Sequence, residues 1–221
     1  MKRIALMALA SGLAIAAATP ASATITIAYS VDGGTTITQL ANDAATPGSA
    51  GYVGTTGGYF FNVGGTGAPI TAPFDLLTQS INIQQVNARS NSLIVYVSDS
   101  NLPTINSGTL MSSFTSNVLS PGTTATISSL VSPSNTLFTG NTLQSANFTN
   151  IGSFSAMNNV TAAGPFALTV RYAINFGANG NFNGTGNITA VPEPATWGMM
   201  IMGFGLLGGV MRRRSIKVAF A

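Results

Sequence analysis

Between Phe166 and Phe176 the apolar side chains fall on every second residue: Phe166, Leu168, Val170, Tyr172, Ile174 and Phe176 alternate with Ala167, Thr169, Arg171, Ala173 and Asn175. A period of two over this length describes an extended strand with one buried face and one wet face, since a helix would scatter the same residues around its axis. The rest of the segment from Thr24 to Ala190 agrees. It is dominated by Thr, Ser, Asn, Gly and Ala with isolated Val, Ile, Leu and Phe, while the helix formers Glu and Lys do not occur in it. The expected fold class is all-β, a single antiparallel β-sandwich with a jelly roll as its candidate topology.

Other strands follow from the same reading. Thr24 to Tyr29 alternates, Asp32-Gly33 offers a turn, and a second strand is expected near Thr35 to Leu40. Ser80 to Val86 and Leu93 to Val97 form another pair, the latter apolar on both faces and therefore central. Weaker strands are expected at Tyr59 to Val63, Thr123 to Val131 and Ile188 to Val191. Gly48 to Gly67, with eight glycines in 20 residues, reads as a loop in preference to a Gly-kinked sheet edge, and Ser132 to Asn150 as a second loop or short edge strands.

Both ends differ from this body. Lys2 and Arg3 precede an apolar run from Ile4 to Ala18, which is followed by Pro20 and the small residues Ala21-Ser22-Ala23. That is the pattern a secretory signal peptidase reads, so residues 1–23 are expected to be a signal peptide, with Ala21 and Ala23 as the cleavage determinants and Thr24 as the mature N-terminus. A second apolar run, Ala195 to Met211, is closed by Arg212, Arg213 and Arg214. Its 17 residues, at about 1.5 Å each, come close to the ~30 Å of a hydrocarbon core, so one transmembrane helix is expected with the arginines as its cytoplasmic stop.

The formal charge of +3 is a property of these ends. Six of the eight basic residues (Lys2, Arg3, Arg212, Arg213, Arg214 and Lys217) lie there, and the body keeps Arg89 and Arg171 against Asp32, Asp43, Asp75 and Asp99. A nucleic-acid partner is therefore not expected. No cysteine is present, so the exported body has no disulfide framework to rely on.

Histidine is also absent, which removes Ser-His-Asp and Cys-His catalysis in their usual forms and any zinc or copper site that relies on His or Cys. The four aspartates remain. Asp32 before Gly33-Gly34, Asp43 after Asn42, and Asp99 between Ser98 and Ser100 all have turn chemistry, so no catalytic residue, metal site or cofactor is assigned to them. Calcium is the one cation their hard oxygens would suit.

The most specific passage is Val191-Pro192-Glu193-Pro194-Ala195-Thr196-Trp197-Gly198. Two prolines lock their own φ and push the preceding residues out of the helical region, giving a short extended element with one charge between rigid rings. Such an element suits a protease groove. Trp197 then falls where an interfacial aromatic would sit. Pro192, Glu193, Pro194, Trp197, the Gly-rich apolar span Gly198 to Met211 and the Arg212 to Arg214 cluster together resemble the PEP-CTERM sorting signal in its PEPxxWA form, with Gly198 in place of the usual alanine.

The resemblance implies that residues 191–221 are a sorting tag read by an exosortase, an integral-membrane enzyme. It further implies an intermediate held transiently at the inner membrane, then delivery to the cell surface or the exopolysaccharide matrix of a Gram-negative bacterium. The body, residues 24–190, is accordingly expected to be structural or adhesive and not an enzyme. The rival is a secreted carbohydrate-binding module or carboxylate-dependent carbohydrate-active enzyme, which would use paired aspartates beside exposed aromatics such as Tyr52, Tyr59 and Phe60.

Overall fold

A computed structural model describes residues 23–72, 74–87, 90–191 and 194–212. The signal-peptide expectation lies outside them, except for Ala23. Twelve strands precede one helix: β1 (Thr24–Ser30), β2 (Thr38–Asn42), β3 (Ser49–Thr56), β4 (Tyr59–Thr66), β5 (Leu76–Gln85), β6 (Ser92–Leu102), β7 (Ile105–Leu119), β8 (Thr124–Ser132), β9 (Asn141–Phe148), β10 (Gly152–Ala162), β11 (Phe166–Asn175), β12 (Asn181–Val191) and α1 (Pro194–Arg212).

The strands form two six-stranded sheets, ordered β2-β1-β6-β11-β8-β9 and β10-β7-β12-β5-β4-β3, with every pairing antiparallel. One apolar core is shared between them, with Ile25, Val95, Val97, Leu168, Val170 and Tyr172 from the first sheet and Phe61, Ile81, Ile83, Phe114, Phe182 and Ile188 from the second. Alternation generates this core directly, because each strand sends every second side chain inward. In β11 the inward row is the one expected, Phe166 to Ile174.

Its other face is covered at one end, while Arg171 and Ala173 are half-buried and Asn175 is exposed. Ala167 and Thr169 are buried as well, because the segment between β8 and β9 lies over that face of the sheet. There Phe138 packs on Tyr96 with ring centroids 5.4 Å apart, and its N–H donates to Ser98 Oγ. Phe138 holds a left-handed φ of 65°, a conformation that a bulky residue adopts only when its surroundings hold it there.

The expected Gly48 to Gly67 loop is instead the β3–β4 hairpin. Gly57 and Gly58, with φ of 58° and 85°, make its turn, and the other glycines lie within or beside the paired strands. Part of the expected Ser132 to Asn150 loop is β9, an edge strand paired with β8. Two strands had no counterpart in the sequence reading, β7 and β10. In β7 the inward row from 110 to 116 reads Leu110, Ser112, Phe114, Ser116, so every second position of that row carries a hydroxyl. Ser112 is satisfied across the sandwich by Ser129 at 2.7 Å, which lets a serine stand where the pattern calls for an apolar residue.

Thr78 on β5 is a second interior polar tie. Its hydroxyl donates to the Gly186 carbonyl at 2.6 Å, accepts from the Gly186 N–H at 2.6 Å and meets the Tyr172 hydroxyl, which links β5, β12 and β11. Complete burial raises the Tyr172 phenol above its ordinary pKa, so it stays a neutral donor. Thr78→Val keeps the shape and strands these partners. It is expected to lower unfolding free energy by about 2–3 kcal/mol, read as a shift in urea midpoint at unchanged m-value.

The sequence reading expected a transmembrane helix from Ala195, and a helix is present as α1. Among the described residues, however, no helix is long and apolar enough to cross a membrane. Glycines at 198, 203, 205, 208 and 209 dilute the hydropathy of this 19-residue helix.

Candidate functional site at the C-terminal segment

β12 is an interior strand, bonded to β7 on one side and β5 on the other, and it carries the chain out of the sandwich at Val191. Its exit is held by Asp75, whose carboxylate accepts from the Ala190 N–H at 2.8 Å. Pro192 and Glu193 follow and lie outside the described residues. Pro194 opens α1, a position where the missing N–H costs no helical hydrogen bond and the fixed φ suits the first turn. Trp197 is in that first turn, and Arg212 ends the helix; Arg213 and Arg214 lie outside the described residues.

The helix has no partner among the described residues. Met199, Met200, Ile201, Met202, Phe204, Leu206 and Leu207 are all exposed, from 46% to 76%, and nothing approaches within 4 Å of where a side chain would stand at its glycines. The apolar side chains surround the axis instead of forming a stripe, so this helix is not built to lie on the sandwich. A helix apolar all round requires either lipid or another protein on several sides.

At the N-terminal end, Ala21 lies outside the described residues, while Ala23 is buried and belongs to the core. Thr24 opens β1. The cleavage site read from the sequence therefore falls at the first residue of the fold.

The four aspartates divide into two kinds. Asp32 is a turn residue as expected: its carboxylate accepts from Thr36 N–H at 2.9 Å and from Ser30 Oγ at 2.7 Å, and these bonds, that from Thr36 first, hold its pKa well below the ordinary carboxylate value. Asp75 is the clamp on Ala190. Asp99 departs from the turn reading, because β6 does not stop at Val97 and continues to Leu102. Asp99 is an interior strand residue, opposite Ile25 of β1 and Leu168 of β11. It is 1% exposed, with Oδ2 accepting from Ala68 N–H at 3.1 Å and Oδ1 without a hydrogen-bond partner. Burial first, and the neighbouring Asp43 charge as well, push its pKa up to about 7.

Asp43 is buried too, its Oδ2 accepting from Gly48 N–H at 2.9 Å and its own N–H donating to the Ile25 carbonyl at 3.1 Å. Gly67 closes the space over the pair: a Cβ there would collide with Asp99 Oδ2 and Ile25 Cδ1. Sequence reasoning missed this pair because Ser98, Asp99 and Ser100 look like a turn, although the hydrogen bond of Ser98 to Thr169 across β6 and β11, at 2.8 Å, marks them as strand.

The aromatics named for a sugar-binding platform do not gather beside it. Tyr59 is fully buried and packs on Phe61 and Phe176, and Tyr52 packs edge-on against Phe61 with centroids 6.3 Å apart. Among the described residues no group of three or more His, Cys, Asp or Glu could hold a metal ion, so calcium at the pair would find only two carboxylates.

No curated protein matches the chain. The family model of the PEP-CTERM protein-sorting motif matches residues 190–215, from the last turns of β12 hydrogen bonding through the whole of α1. The chain therefore carries a PEP-CTERM protein-sorting motif, which implies an exported protein handled at the membrane by an exosortase.

Proposed function

We propose that the sandwich is the cargo of this tag: a structural or adhesive body that an exosortase releases to the cell surface or polysaccharide matrix of a Gram-negative bacterium. The observation that carries the reading is the junction, where a motif matching residues 190–215 begins on β12 and continues into an unpartnered apolar helix. Pro192, Glu193 and Pro194 follow directly after the last strand of the body in sequence, and the two prolines favour an extended approach to an enzyme groove.

The matrix role draws on the outer sheet surface. β7, β10 and β12 expose cross-strand pairs of uncharged polar groups: Thr109 with Asn159 at 3.0 Å, Thr115 with Thr185 at 2.7 Å and Asn117 with Asn183 at 3.1 Å. Rows of hydroxyls and amides without charge suit a polyhydroxylated polymer through many weak hydrogen bonds. The last eight strands also pass between the sheets in the order of a jelly roll, a fold shared by many functions and so neutral between this reading and the carbohydrate-binding rival.

Fractionation with and without the exosortase tests the reading. Cells that lack the enzyme are expected to keep the whole of the chain's C-terminal mass in the inner-membrane fraction, and cells that have it to release a shortened form. Co-sedimentation of the released form with the cell's own exopolysaccharide tests the matrix role; saturable binding of a short oligosaccharide instead would favour the rival.

A further inference from the structure

The exit of the leader and the buried aspartate pair occupy one corner of the sandwich. A cavity of about 330 Å3 is lined by Ala23, Thr24, Asn42, Asp43, Ala44 and Pro47. Asp43 lies beside Ile25, to whose carbonyl its N–H is bonded, and Asp99 stands opposite Ile25 on the other side of β1. Two carboxylates are thus buried beside the start of the first strand, and one oxygen, Asp99 Oδ1, has no hydrogen-bond partner.

Burying negative charge in this way is costly unless a cation is close. Among the described residues of the body the one basic side chain is Arg171, and it belongs to the opposite face of the first sheet: it pairs with Tyr96 and Ser128, while its neighbours Val170 and Tyr172 point into the core. Among the described residues no basic side chain serves the corner.

Signal cleavage after Ala23 would create a cation there. It converts the peptide nitrogen of Thr24 into an α-ammonium, removes the Ala23 methyl from the cavity and leaves the space beside Asp43 to the new charge. We propose that the α-ammonium of Thr24, produced by signal peptidase, is the counter-ion of the Asp43–Asp99 pair, so that removal of the leader completes the electrostatics of the fold. The uncleaved chain keeps the pair without its cation and is the less stable form. This inference rests on the export reading, and specifically on Thr24 as the mature N-terminus.

The composition makes it testable. Lys217 is the one lysine after Thr24, so in Lys217→Arg the α-amine is the single primary amine of the mature chain. Acetylation would remove its charge, whereas reductive dimethylation would keep it. On the full mature chain in detergent, acetylation is expected to lower the melting temperature by about 2–4 °C, the usual response of a chain of this size to one partly buried ion pair, while dimethylation leaves it unchanged. The dimethyl-amine is expected to titrate about one unit above its ordinary ~7.7–8.0, followed by 13C NMR. Asp43→Asn is expected to erase both effects.

Acetylated and dimethylated forms that melt together, with an unshifted amine, would overturn the inference and leave export untouched. A mature N-terminus other than Thr24, found by sequencing, would overturn the cleavage reading and this inference with it.

Discussion

Glu193→Ala is expected to leave the chain inserted at the inner membrane and to slow its processing sharply. The change touches neither the sandwich nor the apolar residues of α1, so anything it alters must pass through recognition of the extended element. A carboxylate held between two prolines offers an enzyme a charge-assisted hydrogen bond in a fixed frame. Losing such a bond costs about 2 kcal/mol, which corresponds to roughly a 30-fold slower processing rate. Neutralising Arg212, Arg213 and Arg214 together should act differently, by weakening the charge stop and allowing the tail to slip outward before the enzyme meets it. The fraction of chain released, with its C-terminal mass, separates the two. Equal release of wild type and Glu193→Ala in cells that have the exosortase would reduce Pro192-Glu193-Pro194 to a linker.

Asp99 should set how stability varies with pH. Its carboxyl has a folded pKa of about 7 against an ordinary 3.8, so the protonated form is favoured by folding. The sign follows: the contribution is fully present below the unfolded value and is lost as pH rises through the folded one, giving a decline in unfolding free energy between about pH 4 and pH 7. A shift of this size corresponds to about 4 kcal/mol as an order of magnitude. Asp32, whose pKa is lowered, acts in the opposite sense and below that window. Asp99→Asn keeps an acceptor for the Ala68 N–H and carries no charge to bury beside Asp43. The variant should therefore be more stable than wild type at pH 8, with the decline flattened. The full decline is expected in the acetylated chain and a smaller one where the Thr24 amine is free. Urea melts across pH 4 to 8 measure it, and a variant that retains the slope would place the titration elsewhere.

What could be read from the sequence, and what could not, follows from how the interior is filled. β11, β4 and the first half of β6 were legible because large apolar residues occupy their inward positions, and the all-β class followed from them. β7 was not, since Ser112 and Ser116 alternate with Leu110 and Phe114. β10 was not either: as an edge strand it keeps few buried residues, chiefly Val160 and Ala162, among Ser, Asn and Met. The length of β6 was hidden by the polar run from Ser98 to Asn101, whose strand geometry comes from its neighbours β1 and β11 and not from its own propensity. Of the sites, the C-terminal motif is local in sequence and could be recognised whole, through Pro192, Glu193, Pro194 and Trp197. The Asp43–Asp99 pair joins the bend after β2 to the interior of β6 on opposite sides of β1, and no local signal announces it.

The place of β12 has a mechanical consequence. Any pull exerted through the C-terminal segment, whether by a membrane enzyme during transfer or by a matrix to which the chain is fastened there, enters the sandwich along an interior strand of 11 residues bonded on both sides. The load is parallel to that strand, so the flanking ladders of hydrogen bonds resist it together, in shear, instead of opening one after another like a zip. A tether on an edge strand such as β3 or β10 would peel. The sandwich is thus fastened at one of its firmest points, and a tensile failure of the assembly would be expected in the linkage beyond Val191 before it reached the body.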